Sequence, residues 1–251
     1  MWNKPQLMTA VSDLLFVAAA AALLVAVVVW GARLPLFPLR EVVVTHELLE
    51  IRRGEVEQSL AGRLRGNFFS IDLDALRQSL EQLPWVRHAE VRRQWPARIE
   101  VSIEEHVPVA FWGQATGQLL NSHGEVFAAT MNVQPTAPMP TLIGPLEIAP
   151  EMLGYYQEAE EVLKPIGRLP HALSVSPRLA VQLRLDDGMI VELGRQQLKA
   201  PLRQRLERFV EYYPSVSNAA RQRPSVVDMR YPNGFALRVA SAPAIENKGK
   251  P

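Results

Sequence analysis

The chain has 251 residues, enough for one large domain or two small ones. Its 27 basic and 26 acidic side chains nearly balance, so no net field attracts a polyanion such as nucleic acid. The sequence contains no cysteine, which excludes disulfides, thiolate catalysis and cysteine-ligated metals.

An uninterrupted apolar segment lies near the N-terminus. Residues 14–30 read LLFVAAAAALLVAVVVW, without a polar side chain, and Gly31-Ala32 prolongs the run. At about 1.5 Å per residue, a helix over 14–32 is roughly 28 Å long, close to the thickness of a bilayer's hydrocarbon core. We therefore predict a transmembrane helix at 14–32 behind a head of residues 1–13. A cleaved signal peptide is the alternative, but the run exceeds the usual ~7 to 15 apolar residues and no A-x-A site follows it.

The charges that flank this helix do not decide its orientation. Lys4 precedes it, whereas Arg33 and Arg40 follow it, and positive charge is normally concentrated on the cytoplasmic side. Only the segment after the helix is long enough to fold, so the folded body lies on one side of the membrane.

A strand and a helix are predicted directly after the transmembrane helix. Pro35 and Pro38 are expected to break the helix, because proline lacks an amide donor and restricts the residue before it. The segment LREVVVT at 39–45 is typical of a strand. In residues 51–64 apolar side chains recur every four positions, which predicts an amphipathic helix.

A second helix and a strand pair complete this region. Asp72 is the expected N-cap, with Ile71 and Leu76 as a hydrophobic staple across it. After Pro84 the apolar period changes to two on both sides of a Trp95-Pro96 turn. The order strand, helix, helix, strand, strand predicts a small two-layer α+β domain.

The second half of the chain is predicted to contain short strands and two helices. One helix is expected at 151–164, and three strands at 171–195 with Asp187-Gly188 as a hairpin turn. Apolar residues from Leu198 to Tyr213 form the stripe of another helix, which Pro214 is expected to stop.

A final hairpin is predicted in VVDMRYPNGFALRV, residues 226–239. Pro232-Asn233-Gly234 has the composition of a tight turn. Phe235, Leu237 and Val239 alternate along the last strand, so we expect them to form a stripe that faces the core. The hairpin either closes that core or leaves its final strand open to another chain. The polar residues 241–251 are expected to form a flexible tail.

The sequence presents no recognisable reaction centre. Its five histidines never occur at the spacings that place two metal ligands on one helix face, and no nucleophile elbow or phosphate-binding loop is present. Five arginines lie on or near the last predicted helix, which also carries Glu207 and Glu211. No aromatic side chains accompany them on which bases could stack, so the pattern favours a solvated helix face over nucleic-acid binding. These arginines are Arg203, Arg205, Arg208, Arg221 and Arg223.

Taken in order, these segments resemble the FtsQ/DivIB family of bacterial cell-division proteins. The most specific one is LPWVRHAEVRRQWPARIEVSIEEHVPVAFW at 83–112, and LREVVVT, LDDGMIVELGR, RLERFVEYYP and VVDMRYPNGFALRV accompany it. The resemblance implies an α+β fold: a single N-terminal transmembrane helix, a POTRA domain at 36–106, and a mixed, mainly-β domain with flanking helices at 107–240. It also implies a single-pass protein of the inner membrane at the division septum, with a cytoplasmic N-terminus and a periplasmic body.

The same resemblance implies a scaffold without catalysis or a cofactor. The β domain of such proteins binds the division proteins FtsB and FtsL, and the complex helps to localise and regulate the septal peptidoglycan synthase. The POTRA domain is associated with recruitment by earlier division proteins.

The implied partner contact lies on the last strand and its neighbours. Arg230-Tyr231 matches an Arg-Tyr pair of the family, and Arg195 matches a Gly-Arg at the end of the preceding hairpin. The guanidiniums suit acidic residues of a partner, and a tyrosine of this kind is frequent at binding hot spots. The expected partner-binding residues are Arg195, Arg230, Tyr231, Gly234, Phe235, Ala236, Leu237, Arg238 and Val239. Arg238-Val239 departs from the Gly-Trp that ends this strand in some members, so their aromatic contact is not expected here.

Two other functions stay open on the residues alone. A POTRA domain also occurs in components of outer-membrane assembly or secretion, although no long series of amphipathic barrel strands follows here. An anchored periplasmic enzyme is the other alternative. For the site itself, the plain alternative is an ordinary strand whose apolar stripe packs on the core, with Arg195 as a solvated charge.

Overall fold

In the computed structural model of this protein, the structure describes residues 5–32, 39, 41–45, 48–64, 66–114, 116–131, 138–219, 224–231 and 234–239. The predicted helix break at Pro35 and Pro38, the Pro232-Asn233 part of the last turn, and the tail at 241–251 lie outside these ranges. Chain contacts divide the protein into two compact units, Met1–Glu105 and His106–Pro251.

The N-terminal helix, α1, spans Pro5–Ala32. It begins earlier than the predicted start at residue 14. Proline suits its first position, where a missing N–H breaks no hydrogen bond. Its segment Met8–Gly31 has a mean hydropathy of 2.7 and is long and apolar enough to cross a membrane.

The remainder of the first unit has the predicted order of strand, helix, helix, strand and strand. Its elements are β1 Glu41–Val44, α2 Arg53–Ala61, α3 Leu73–Glu81, β2 Val86–Gln94 and β3 Arg98–Glu105. The three strands form one sheet in the order β1-β3-β2, with β1 parallel and β2 antiparallel to the central β3.

Helix α3 shows how local sequence sets this fold. The side chain of Asp72 accepts a hydrogen bond from the amide of Ala75 at 3.0 Å, as predicted for the N-cap. Ile71 and Leu76, the predicted staple, are both buried. Helix and sheet therefore enclose one apolar core, and the predicted α+β fold is confirmed.

The second unit is built on a nine-stranded sheet with two long helices. Its strands are β4 Pro108–Trp112, β5 Gln118–Asn121, β6 Val126–Ala128, β7 Thr141–Ile143, β8 Pro170–Val175, β9 Ala180–Leu185, β10 Ile190–Arg195, β11 Pro224–Asp228 and β12 Ala236–Val239. The sheet order is β12-β11-β10-β9-β8-β7-β4-β5-β6. Helix α4, Ala149–Leu163, packs on β8, and helix α5, Leu202–Ala219, packs on β10.

The hairpin of β9 and β10 has the predicted turn. The hairpin turns at Asp187-Gly188 as predicted, with Gly188 at φ +84° and its amide bonded to the carbonyl of Leu185.

The predicted start and end of helix α5 were wrong. Leu198 lies outside the helix and is exposed, and Pro214 lies inside it. A proline removes one helical hydrogen bond without having to end a helix whose apolar face is already packed.

Candidate partner-binding surface

The last strand, β12, is the terminal strand of the sheet. It pairs antiparallel with β11, which in turn pairs parallel with β10. Within the described residues no strand lies on its other side. All four of its residues are exposed, so both the outer edge and the side chains of β12 are accessible.

Only one member of the predicted core-facing stripe packs on the core. Phe235 is half-buried against the core, and its ring lies 5.8 Å from the ring of Tyr212 on α5. Leu237 and Val239 are 41% and 40% exposed, so the predicted burial of these two residues was wrong. Helices α4 and α5 pack on β8 and β10, two or more strands away from β12, and the buried core ends at Val227 and Met229.

Arg230 is already paired within the chain. Its Nε lies 2.8 and 3.0 Å from the two carboxylate oxygens of Asp228, and its guanidinium also lies 3.4 Å from Glu192. Hydrogen bonding to Arg230 holds the pKa of Asp228 below its usual range, and the same interaction raises the pKa of Arg230. The guanidinium is thus positioned by two carboxylates while its side chain stays 57% exposed.

Parallel pairing of two strands brings these groups together. Glu192 of β10 is directly opposite Asp228 of β11, and the amide of Met229 continues the ladder by donating to the carbonyl of Glu192. Residues two apart on an extended chain share a side, so Asp228 and Arg230 meet.

Gly194 makes room for Arg230. It sits at a register shift in β10 with φ +76°, a conformation that favours glycine. A Cβ at this position would lie 2.9 Å from Cγ of Arg230. The glycine of the ELGR segment therefore allows a close approach as well as a bend.

Arg205 supports the same region from inside. Its side chain is only 3% exposed, which corrects the prediction that it belongs to a solvated face. It donates hydrogen bonds to the carbonyls of Leu193 and Ala200, the latter at 2.7 Å, and burial lowers its pKa, with a smaller contribution from Arg208. Burial of this arginine follows from its contact with irregular backbone, which helical periodicity does not reveal.

Four arginines line one shallow depression of about 430 Å³. The structure brings the predicted Arg195 and Arg230 together here, and adds Arg178 and Arg205, which the prediction of the site had missed. Arg195 is exposed at the end of β10, and among the described residues no carboxylate forms an ion pair with its side chain. Tyr231, also exposed, directly follows Arg230. A basic depression, an exposed tyrosine and an open strand edge thus occur in one unit.

Comparison with known proteins gives consistent matches along the chain. The family description "Cell division protein FtsQ/DivIB, C-terminal" matches residues 110–230, and "POTRA domain, FtsQ-type" matches residues 37–106. The chain is 40% identical over 243 residues to the cell division protein FtsQ of Nitrosospira multiformis, covering 95% of this chain and 99% of the relative. It is 37% identical over 240 residues to FtsQ of Burkholderia pseudomallei, covering 96% and 95%. It is 35% identical over 271 residues to FtsQ of Bordetella pertussis, covering 100% and 98%.

Proposed function

The chain belongs to the FtsQ/DivIB family of cell-division proteins, and from this premise we propose that it is a division scaffold whose second unit binds FtsB and FtsL. The scaffold links earlier division proteins to septal peptidoglycan synthesis and catalyses no reaction itself. The binding surface consists of Arg195, Arg230, Tyr231, Gly234, Phe235, Ala236, Leu237, Arg238 and Val239.

The terminal position of β12 is the observation that carries this proposal. An open strand edge offers backbone N–H and C=O groups to a strand of another chain, which is the mode of binding known as β-augmentation. The exposed Leu237 and Val239 supply side-chain contacts that a buried stripe could not supply. A partner strand added at this edge becomes the tenth strand of the sheet.

The exposed arginines at the end of β10 and just after β11 support an acidic partner segment. Arg195 has an accessible guanidinium, and that of Arg230 is held in place by Asp228 and Glu192. Carboxylates of a partner can form charge-assisted hydrogen bonds with both. Tyr231 adds an exposed aromatic anchor, a residue type enriched at hot spots.

Helix α1 and family membership support a membrane location for this scaffold. The apolar helix makes it a single-pass membrane protein of the division machinery. We assign the body to the periplasm and the N-terminus to the cytoplasm, because the proposed partners act on the cell-wall side at the septum. The POTRA domain, at 36–106, is assigned to recruitment by earlier division proteins.

A binding titration of the full chain in detergent or nanodiscs with the periplasmic segment of FtsB tests this function. Arg195→Glu is the sharper variant, because reversing Arg230 would also place a third acid beside Asp228 and Glu192. We expect Arg195→Glu to weaken binding by about tenfold, which corresponds to about 1.4 kcal/mol.

Arg184→Glu is the matched control, since Arg184 is exposed on β9 near the turn opposite the depression. Equal affinities for the wild type and Arg195→Glu would contradict the proposed contact. No measurable binding of wild-type protein to FtsB would contradict the proposed function.

A further inference from the structure

The chain enters the sheet of the first unit at the end that carries the β2–β3 turn. Strands β1 and β3 run parallel, and Glu41, the first residue of β1, pairs with Arg98, the first residue of β3. Arg98 follows Trp95 by three positions. At the opposite end of the sheet, the carboxylate of Glu105 accepts a hydrogen bond from the amide of Leu49 at 2.8 Å.

An aromatic patch is exposed at the entry end. Trp95 is 67% exposed and Phe69 is 45% exposed, with their ring centroids 6.5 Å apart. The buried Phe68 lies beneath both, with its ring centroid 5.2 Å from Phe69 and 5.9 Å from Trp95. A Trp-Phe pair of this kind on a folded domain is an unusual exposure of apolar surface.

Hydrogen bonds hold this patch in a fixed shape. The side-chain oxygen of Asn67 accepts from the amides of Phe69 and Ser70 at 3.0 and 2.8 Å. The guanidinium of Arg93 donates to the carbonyls of Phe68 and Ile71 at 2.9 and 2.7 Å. Phe69 therefore projects from a hydrogen-bonded turn, and Arg93 joins that turn to β2 two residues before Trp95.

Chain length keeps this end close to the membrane. Residues 33–40 separate the end of α1 from the start of β1. An extended chain advances at most about 3.3–3.6 Å per residue, so Glu41 lies within about 30 Å of Ala32. The end of the sheet that carries Trp95 is thus tethered near the bilayer that α1 spans.

We propose that Trp95 and Phe69 insert into the interfacial layer of that same bilayer. Tryptophan and other aromatic side chains favour this depth, and apolar side chains contribute the binding energy there. The tether supplies a high effective concentration, so a weak intrinsic affinity suffices. The insertion holds the entry end of the sheet at the membrane surface.

Charges near the patch indicate aromatic insertion rather than electrostatic attraction. Arg98 is paired with Glu41 at 2.9 Å. Arg63, on the segment before the patch, and Arg93, which donates to the carbonyl of Phe68, are exposed. Asp72 and Asp74, also exposed, lie at the nearby start of α3. The charges roughly offset one another, so the contact should not require anionic lipid. This inference depends on α1 as a membrane span and is independent of partner binding at β12.

Site-directed spin labelling of the full chain in nanodiscs tests the proposal. The sequence has no cysteine, so a single cysteine gives a single labelled site. Gln94→Cys places the label on an exposed residue next to Trp95, and Leu49→Cys places a control label at the opposite end of the sheet. We expect the label at 94 to show a higher ratio of oxygen to nickel-complex accessibility than the label at 49, as at a membrane interface, and the label at 49 to show aqueous values.

The double substitution Trp95→Ala and Phe69→Ala should return the label at 94 to aqueous values. Thermal unfolding followed by circular dichroism checks that this variant keeps its fold. Three results would overturn the proposal: aqueous values at 94 in the parent protein, interfacial values that survive the double substitution, or interfacial values found only in discs that hold two copies of the chain. The last result would indicate a contact between copies instead of a contact with lipid.

Discussion

The guanidinium of Arg230 is bound by the carboxylate of Asp228, two residues before it, with Nε 2.8 Å from Oδ1. An arginine held in this way keeps one geometry, so it loses little conformational freedom when a partner carboxylate approaches. The pair also joins the end of β11 to β10, because Glu192 lies 3.4 Å from the same guanidinium. Arg230 thus belongs to the proposed binding surface and also links β11 to β10.

The Asp228–Arg230 pair should make the stability of the second unit depend on pH. Its hydrogen bonds lower the pKa of Asp228 in the folded state below the ordinary value of 3.8. The stabilisation is therefore complete above the unfolded-state pKa and is lost as the pH falls through the folded-state pKa. We expect Asp228→Asn to lower the free energy of unfolding at neutral pH by about 0.5–1 kcal/mol, a modest value because Arg230 is largely solvated. Urea unfolding over a pH series checks this, and a gap between wild type and variant that persists at strongly acidic pH would refute it.

Gly194→Ala should destabilise the protein more than Gly188→Ala. Both glycines have positive φ, but a Cβ at 194 meets Arg230 at 2.9 Å, whereas a Cβ at 188 meets nothing within 4 Å. We expect a loss of about 1 kcal/mol at 188 and of about 2–3 kcal/mol at 194. Adding Arg230→Ala to Gly194→Ala should recover part of the difference in a double-mutant cycle. Equal losses at the two glycines would show that Arg230 does not approach position 194.

Phe235→Ala should affect stability, whereas Leu237→Ala and Val239→Ala should not. Phe235 contacts the core and Tyr212, so its removal is expected to cost about 1–2 kcal/mol, less than for a fully buried phenylalanine. The two exposed residues should change the free energy of unfolding by less than about 0.5 kcal/mol. Urea unfolding of the three variants measures this. Similar losses of unfolding free energy in all three would show that Leu237 and Val239 pack on the core as Phe235 does.

Tyr231→Ala should weaken FtsB binding without unfolding the second unit. Its exposed ring is available to a partner, and truncation of a hot-spot tyrosine typically costs about 2 kcal/mol or more of binding free energy. Phe111→Ala is the matched control, because Phe111 is a partly exposed aromatic residue on β4, in the other half of the sheet. Titration calorimetry should find reduced affinity only for Tyr231→Ala. A comparable loss in both variants would point to a general effect on the fold.

Local patterns in the sequence were sufficient for most of the architecture. The apolar run, the Asp72 cap, the change of period after Pro84 and the Asp187-Gly188 turn each depend on neighbouring residues, and the structure contains the corresponding elements. Family resemblance added the identity of the two units, which local patterns leave open.

Tertiary contacts explain the features that the sequence did not predict. Alternation places Leu237 and Val239 on one face of β12, but it does not show whether a helix covers that face. The burial of Arg205 depends on carbonyls of Leu193 and Ala200, on a neighbouring strand and loop. The period of two could have placed Asp228 beside Arg230, whereas the third member, Glu192, required the register of β10 and β11.

Photo-crosslinking in dividing cells tests the central claim most directly, because it identifies the partner without assuming it. A photoreactive amino acid at Leu237, on the exposed edge strand, is compared with one at Phe111 on β4 in the full-length protein. We predict that position 237 crosslinks to FtsB, that this product decreases strongly with Tyr231→Ala, and that position 111 gives none. Absence of an FtsB product from position 237, or equal products from both positions, would contradict binding through the edge of β12.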